Sequence, residues 1–320
     1  MTKRNSGKKL LVYGAGVIGS LFAAKLWLSG QDVTVLARGK RYEEIKEQGI
    51  ILCNPKTTIK ETAKVKVISE LKPDMAFDYL FVVMQSTQVD SILENLSKNV
   101  SENMVFIVNT ASGYEKWIRA IGERRLLTGF PSAGGERLSG TVNYFIGKGL
   151  LRGFQTTTFG EPGGKRTQRV EDLLHMFNRA GIPSVHCSNM ADWQKTHVAV
   201  VTCIANALYG HNCNNKQLAA SRSDVKNMIL GIKEGFGVLK SLGIKPTPVK
   251  LSFFRLPSGI LTLAFSLFLK TQLAEITMAK HCMTAKGEMT ALQQEFDKLI
   301  EKSEKSTPHI DALRKNLEKI

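Results

Sequence analysis

The sequence has few acidic residues for its number of basic ones, few cysteines and no long uninterrupted apolar run. Its 320 residues contain 28 Asp and Glu against 44 Lys and Arg, a formal net charge of +16. Such an excess favours anionic partners, for example a phosphorylated cofactor or an acidic substrate. The basic residues are spread along the chain and form no nucleic-acid recognition motif, so we expect a solvated basic surface and no nucleic-acid partner.

The five cysteines are an odd number and contain no C-x-x-C pair: Cys53, Cys187, Cys203, Cys213 and Cys282. This set supports neither a disulfide framework nor a zinc site. We therefore expect a cytoplasmic protein of a reducing compartment, without a metal centre. The basic segment MTKRNSGKK runs directly into a strand-like segment, which differs from the pattern of a signal peptide.

The most apolar segment, residues 251–269, is interrupted by Arg255, Pro257 and Gly259. Its uninterrupted part is far shorter than the ~20 apolar residues that a membrane-spanning helix needs. We expect a buried helix or a helix at a dimer interface here, and no membrane partner. The apolar fraction of 43% with only 9 Pro is typical of a globular chain.

A strand, a glycine turn, a helix and a second strand open the chain. Residues 10–13 and 33–36 are short apolar runs, and the pattern between them has the length of one βαβ unit. The turn reads GAGVIG, a G-x-G-x-x-G fingerprint in the strand–turn–helix context that dinucleotide binding requires. The predicted cofactor-binding residues are therefore Gly14, Ala15, Gly16, Val17, Ile18 and Gly19.

The end of the second strand indicates which dinucleotide binds. An NAD enzyme usually has Asp or Glu there, which accepts hydrogen bonds from the ribose hydroxyls. This chain has instead Ala37-Arg38-Gly39-Lys40-Arg41, with three cations and no carboxylate. A guanidinium binds a phosphate with two parallel hydrogen bonds, so we predict NADP as the cofactor, with its 2′-phosphate on Arg38.

Further apolar segments alternate with helical ones up to about residue 189, and almost only helical periodicity follows. Alternating strands and helices favour a mostly parallel sheet covered on both faces. The predicted fold class is α/β, a Rossmann-type doubly wound parallel sheet followed by an all-helical C-terminal domain. We place the NADP-binding domain at residues 1–189 and a helical substrate and dimerisation domain at residues 190–320.

The chain resembles the ketopantoate reductase (2-dehydropantoate 2-reductase) family. The segments that carry the resemblance follow the family's order: LVYGAGVIGSLFAAKL, VTVLAR, YLFVVMQSTQV, FIVNTASG, FGEPGG, AGIPSV with ADWQKTHV, and TPHIDAL. The resemblance implies reduction of a 2-oxo acid by hydride transfer from NADPH, and pantothenate biosynthesis as one biological setting. It also implies a helical second domain, and a homodimer is left open.

The resemblance further implies catalytic roles for three residues. Lys195 follows Trp193 by two positions, as the family's proton donor does, and such an ammonium can stabilise and protonate the oxygen that receives charge. Glu288 stands 20 positions before Pro308, where the family has a substrate-binding glutamate. Asn109 matches an asparagine that lies beside the nicotinamide and the substrate.

Several positions depart from the family pattern. Gln85 stands where the family often has a cofactor-binding lysine, and residues 110–113 read Thr-Ala-Ser-Gly where Gly-Leu-Gly is usual. The family's active-site asparagines are Ala199 and Cys203 here, and its serine and aspartate are Ile276 and Lys280. A retained proton donor with an altered substrate-binding set suits a diverged member with a different substrate.

We therefore consider two alternative functions besides the reduction of a 2-oxo acid to a 2-hydroxy acid. One is an NADPH-dependent reductase of another carbonyl or of an imine formed from an amine and an oxo acid. The other is a catalytically silent protein that senses NADPH, which the basic charge and the apolar segment at 251–269 favour. The Lys195 and Glu288 pair argues for an enzyme, because a sensor has no need of it.

Overall fold

The computed structural model describes residues 7–55, 57–146 and 156–318, and these fold into two units. The first unit comprises the described residues up to Val108 together with Tyr114–Met190. The second comprises Asn109–Gly113 and the described residues from Ala191 onward. The short loop Asn109–Gly113 thus groups with the helical unit, although it follows a strand of the first.

The first unit is built on an eight-stranded sheet in the order β12-β11-β8-β7-β6-β1-β2-β5. Every neighbouring pair is parallel except β11 with β8, which is antiparallel. The strands are β1 (Lys9–Tyr13), β2 (Asp32–Leu36), β5 (Lys66–Ile68), β6 (Tyr79–Val82), β7 (Met104–Ile107), β8 (Leu126–Phe130), β11 (Thr157–Gly160) and β12 (Ser184–His186).

The central strand β1 pairs with β2 on one side and with β6 on the other. Strands β2 and β5 therefore lie on one side of β1, and the later strands β6, β7, β8, β11 and β12 lie on the other. Open sheets of this kind bind ligands at the carboxyl ends of the strands, where the strand order reverses. The predicted fold class is confirmed, and the glycine turn lies at this point of reversal.

A second sheet of four strands, in the order β4-β3-β10-β9, was not predicted from the sequence. Its strands are β3 (Ile50–Cys53), β4 (Lys60–Ala63), β9 (Ala133–Leu138) and β10 (Thr141–Ile146). The helices of the first unit are α1 (Val17–Leu28), α2 (Gly39–Gln48), α3 (Ser86–Val89), α4 (Leu93–Lys98), α5 (Glu115–Ile121) and α6 (Gln168–Arg179).

Helix α1 is covered on two sides. It packs against β1 and β2 of the large sheet and also against all four strands of the small one. Its sequence, VIGSLFAAKLWL, accordingly has no polar face, and its one charged residue, Lys25, is paired with Glu61 of β4. The small sheet therefore explains why this helix lacks the polar stripe of an ordinary surface helix.

Helices make up the described part of the second unit, which contains no strand. They are α7 (Met190–Tyr209), α8 (Asn215–Ala220), α9 (Arg222–Ser241), α10 (Ser258–Leu269), α11 (Gln272–Ala274), α12 (Lys280–Thr284), α13 (Lys286–Ser303) and α14 (Pro308–Glu318). A π-helical segment, Glu275–Ala279, joins α11 to α12, and Val249–Arg255 forms a 3-10 helix before α10.

The apolar segment at 251–269 is not one buried helix. The 3-10 helix Val249–Arg255 and α10 meet at an angle of 116°, and only taken together do they have the length and composition of a membrane span. Among the described residues no single helix is long and apolar enough to cross a membrane. The outer face of α10 leaves Ile260, Leu263 and Leu267 more than half exposed, and the expected dimer interface stays a prediction.

A bidentate ion pair connects α6 to the large sheet at the amino-terminal end of β8. Arg169 on α6 donates to both carboxylate oxygens of Glu161, which follows β11, and to the carbonyls of Arg124 and Leu126. Glu161 is only 7% exposed. The glutamate of the FGEPGG segment therefore anchors the edge of the sheet, and Arg169 neutralises it.

We expect Arg169→Met to lower the free energy of unfolding by about 3 kcal/mol, because it leaves the Glu161 carboxylate buried without its charge partner. Urea denaturation of the whole chain measures this. The matched control is Arg166→Met, whose ion pair with Glu171 lies at the surface and contributes little. Equal losses of unfolding free energy in the two variants would contradict a stabilising role of the Arg169–Glu161 ion pair.

Candidate functional site

The glycine turn between β1 and α1 is fixed by two close backbone approaches. Gly14 has φ of +122°, and a Cβ there would lie 2.1 Å from the carbonyl oxygen of Val83. A Cβ on Gly19 would lie 1.9 Å from the carbonyl oxygen of Gly14. Only glycine fits at either position, so α1 begins directly against the carboxyl ends of β1 and β6.

Gly16 has the opposite environment, because it is exposed and a Cβ there would meet no atom within 4 Å. It is the N-cap of α1, no side chain caps the helix, and the first turn carries no acidic residue. The N–H groups of such a helix end are unpaired and carry partial positive charge. The turn therefore offers an open backbone surface that suits a phosphate.

The other residues of the turn present backbone rather than side chains. Ala15, Val17 and Ile18 are half-buried, and their side chains pack against the core of the unit. Ser20 Oγ donates to the carbonyl of Ala15 at 3.1 Å, and Arg41 Nη2 donates to Ser20 Oγ at 3.0 Å. Through these hydrogen bonds Ser20 and Arg41 stabilise the turn, a role that the sequence did not indicate.

Arg38 follows β2 and is exposed beside the turn. Its Nη2 donates to the hydroxyl of Tyr13, the last residue of β1, at 3.1 Å. Burial raises the pKa of Tyr13, so its hydroxyl stays protonated and uncharged at neutral pH. The guanidinium is thus held at the strand ends with most of its donors free for an anion.

Gln85 lies three residues after the end of β6, at the N-cap of α3. Its side chain is half-buried and makes no hydrogen bond within the described part of the chain. An amide there can donate to a ligand, but it lacks the charge of the lysine that the family often has. The contribution of Gln85 to cofactor binding stays a prediction.

The second unit brings together Asn109 and Glu288. Asn109 Nδ2 donates to Glu288 Oε1 at 3.5 Å, across 179 residues of sequence. The oxygen of the same amide, Asn109 Oδ1, is buried and has no hydrogen-bond partner among the described residues. A buried acceptor without a donor is unfavourable, so it is a natural contact for a ligand N–H or O–H.

Burial raises the pKa of Glu288, while the hydrogen bond from Asn109 opposes this shift. The residue is 6% exposed and lies in the first turn of α13. Its charged form is thus less stable than that of a solvated glutamate, because a single long hydrogen bond replaces its hydration. Such a carboxylate gains from a ligand that donates to it.

Lys195 lies on α7 and is half-buried. It makes no hydrogen bond or ion pair with any residue that the structure describes. On the same helix, Trp193 stacks on His197 with ring centroids 5.5 Å apart. Burial and nearby His281 lower the pKa of His197 to about 4, so this imidazole is neutral at pH 7.

Two positions at which the family has active-site asparagines belong here to the core of the helical unit. Ala199 and Cys203 are buried, at 0% and 2% exposure. A Cβ on Gly235 of α9 would lie 3.1 Å from the Cβ of Ala199, and one on Gly231 would lie 3.3 Å from the Sγ of Cys203. These small residues allow α7 and α9 to approach closely and leave no room for an amide.

With this geometry established, the chain can be compared with known proteins. Residues 10–163 match the family described as ketopantoate reductase PanE/ApbA. This part of the chain is therefore similar to the ketopantoate reductase family. The match covers slightly less than half of the chain and ends within the FGEPGG segment, so it includes the glycine turn, Arg38 and Asn109 but neither Lys195 nor Glu288.

Relatives and solved structures extend this finding. The 2-dehydropantoate 2-reductase of Pyrococcus horikoshii is 29% identical to this chain over 199 residues. The match covers 61% of this chain and 62% of that protein, which is less than two thirds of the relative's own length. Similar folds include D-mandelate dehydrogenase with NADH and anilino(oxo)acetate, with TM-score 0.77, 16% identity and 97% of both chains covered. The 2-dehydropantoate 2-reductase of Geobacter metallireducens has TM-score 0.74 and 19% identity, with 97% of this chain and 99% of that one covered.

We expect Glu288→Gln to raise the free energy of unfolding at pH 8 by about 1 kcal/mol, the usual order for a buried, poorly paired polar group. Because the pKa of Glu288 is raised on folding, its contribution favours the folded state at low pH and is lost as pH rises through the folded pKa. The stability gain should therefore shrink towards pH 4. Thermal denaturation across this pH range measures it, and a gain that is the same at every pH would contradict the buried charge.

Proposed function

We propose that the protein is an NADPH-dependent oxidoreductase that reduces the carbonyl of a small 2-oxo acid to the 2-hydroxy acid. The observation that carries the proposal is the contact of half-buried Asn109 with buried Glu288, which leaves Asn109 Oδ1 without a donor among the described residues, in a chain whose other unit carries an open G-x-G-x-x-G turn. The P. horikoshii relative is named for such a reduction, and the D-mandelate dehydrogenase neighbour was solved with NADH and an oxo-acid derivative.

In the first unit, the backbone at Gly16 and the uncapped start of α1 would bind the pyrophosphate. Arg38 would bind the 2′-phosphate, and Tyr13 holds its guanidinium at the strand ends. No carboxylate stands at the end of β2 to hydrogen-bond a free ribose 2′-hydroxyl, which favours NADPH over NADH. The buried sides of this turn are filled by protein, so the open side alone is available to the dinucleotide.

In the second unit, we assign Lys195 the role of general acid. Its ammonium stabilises the negative charge that develops on the carbonyl oxygen and then donates a proton to that oxygen. Reduced nicotinamide, when bound, supplies the hydride to the carbonyl carbon. Lys195 is suited to this role because it is half-buried and none of its three donors is engaged by the described residues.

Asn109 and Glu288 would orient the substrate. The buried Oδ1 of Asn109, which has no donor among the described residues, would accept from a hydroxyl or amide N–H, and the Glu288 carboxylate would accept from a hydroxyl. Asn109 Oδ1 would gain a hydrogen bond that none of the described residues supplies, and Glu288 would gain one beside the long bond from Asn109. A substrate with a polar hydroxyl-bearing tail therefore fits this pair better than an aliphatic oxo acid does.

The burial of Ala199 and Cys203 favours a second candidate, a reductase of another carbonyl or of an imine. The asparagines that the family places there are absent, so the substrate loses two polar contacts. Following NADPH oxidation with 2-dehydropantoate, with other 2-oxo acids and then with mixtures of oxo acid and amine separates these functions. Tight NADPH binding without turnover of any of them would favour the sensor.

We expect Lys195→Ala to lower kcat by about 10²–10⁴-fold, the usual contribution of a positioned general acid. The Kd for NADPH, measured by fluorescence, should change little because the residue lies in the helical unit. Lys298→Ala, which removes an exposed lysine of the same unit, is the matched control and should be unchanged. Full turnover by Lys195→Ala would exclude the residue from the mechanism.

Arg38→Ala should weaken NADPH binding by about 10–100-fold and leave NADH binding nearly unchanged, because a charge-assisted bidentate contact is lost from the 2′-phosphate alone. Titration of both dinucleotides by isothermal calorimetry measures the difference. Lys40→Ala, two residues further on and also exposed, serves as the control. If both dinucleotides are weakened equally, Arg38 does not discriminate between them.

A further inference from the structure

The loop that carries Asn109 is held by a carboxylate that the proposed mechanism does not use. Glu295 Oε2 accepts from the Thr110 hydroxyl at 2.9 Å, from the Ala111 N–H at 2.5 Å and from the Ser112 N–H at 3.0 Å. Three donors of one short loop therefore converge on a single oxygen. Successive backbone N–H groups arranged in this way form an anion-binding concavity.

This arrangement matters because the direct contact between Asn109 and Glu288 is weak. Their separation of 3.5 Å is at the outer limit of a hydrogen bond, so it contributes little to fixing the amide. The three bonds to Glu295 are shorter, and a charged acceptor strengthens each of them. The position of Asn109 is thus set by the anchoring of the residues that follow it.

The two glutamates act on the loop from one face of α13. Residues seven apart lie on the same side of a helix and ~10 Å apart along its axis. Glu288 therefore meets the start of the loop and Glu295 meets the residues after it. A rigid helix with two such contacts sets the register of the loop against α13.

The contacts of Glu295 with residues 110–112, here called the clamp, also explain a departure of this chain from the pattern of the family that it resembles. Thr110 stands where the family usually has glycine, and it is 4% exposed. Its hydroxyl donates to Glu295 and accepts from the N–H of Ser112 at 3.0 Å. The hydroxyl and the carboxylate form one network, which a glycine at position 110 could not complete.

We infer that Glu295 is a positioning residue that holds Asn109 in the orientation required to contact the substrate. This inference rests on the proposed function. Glu295 acts through this loop, because its Oε2 is already engaged by three donors of residues 110–112. Its effect on turnover passes through Asn109, and this distinguishes it from a residue that merely stabilises the fold.

The test is a double-mutant cycle with Glu295→Leu and Asn109→Ala. Glu295→Leu should lower kcat/KM for the 2-oxo acid by about 10–100-fold, since small displacements of an orienting group have effects of this size. In the Asn109→Ala background the same change should cost less than about 3-fold, because the residues act as one unit. The Kd for NADPH should stay within about 2-fold.

Two further variants separate positioning from folding. Glu295→Gln keeps an oxygen acceptor for the loop and should retain kcat/KM within about 5-fold of the wild type. Glu301→Leu removes an exposed glutamate from the same helix and should have no effect. Multiplicative losses in the double mutant, or a Glu295→Gln variant as impaired as Glu295→Leu, would overturn the inference.

Amide hydrogen exchange tests the clamp without any substrate. The amides of residues 109–113 should exchange at least ~10-fold faster in Glu295→Leu than in the wild type, and no faster in Glu301→Leu. Unchanged protection in Glu295→Leu would overturn the inference even in an active enzyme. Wild-type protein that binds NADPH but reduces no oxo acid would instead count against the proposed function, with the exchange result still deciding the clamp.

Discussion

The close approach of α1 to the ends of β1 and β6 is the constraint on which the first unit depends. It requires hydrogen in place of a side chain at Gly14 and Gly19, because a Cβ at either would lie about 2 Å from a carbonyl oxygen. The approach places the uncapped, positively polarised end of α1 at the reversal point of the sheet. The small sheet covers the face of α1 that the large one leaves, so the helix has no polar stripe.

In the helical unit, contacts with α13 fix the loop that follows β7. The loop is short and polar, and the carboxylates of α13 replace the water that would otherwise satisfy its donors. A packed glycine seam between α7 and α9 forms the interior behind it, with Ala199 and Cys203 as the facing residues. The close packing of this seam leaves no room for a larger side chain at positions 199 and 203.

Local sequence patterns predicted β1, the glycine turn, α1 and β2 because each depends on residues close in sequence. The second sheet was missed because its strands alternate weakly, as the exposed positions of β4 and β9 show, and because β3 pairs with β10 across some 90 residues. Asn109 and Glu288 were predicted as site residues through the family resemblance and not through pattern, and the structure brings their side chains together. Glu295 could not be found, since its partners lie more than 180 residues away and two of the three donors are backbone groups. The departure at Thr110 was visible, but its meaning required the contact.

The two carboxylates of α13 differ in a way that bears on their roles. Glu295 has one oxygen engaged by three donors and is satisfied within the protein. Glu288 is more deeply buried and receives one long hydrogen bond among the described residues, so its negative charge is poorly compensated and its pKa is raised. Burying such a group costs stability, and the cost falls only when a ligand donates to it. The Oε2 of Glu295 already accepts from two backbone N–H groups and a hydroxyl, so it has less to gain from a further donor. Hydrogen-bond satisfaction thus separates the two carboxylates: that of Glu295 holds the loop, and that of Glu288 has the greater need of a further donor.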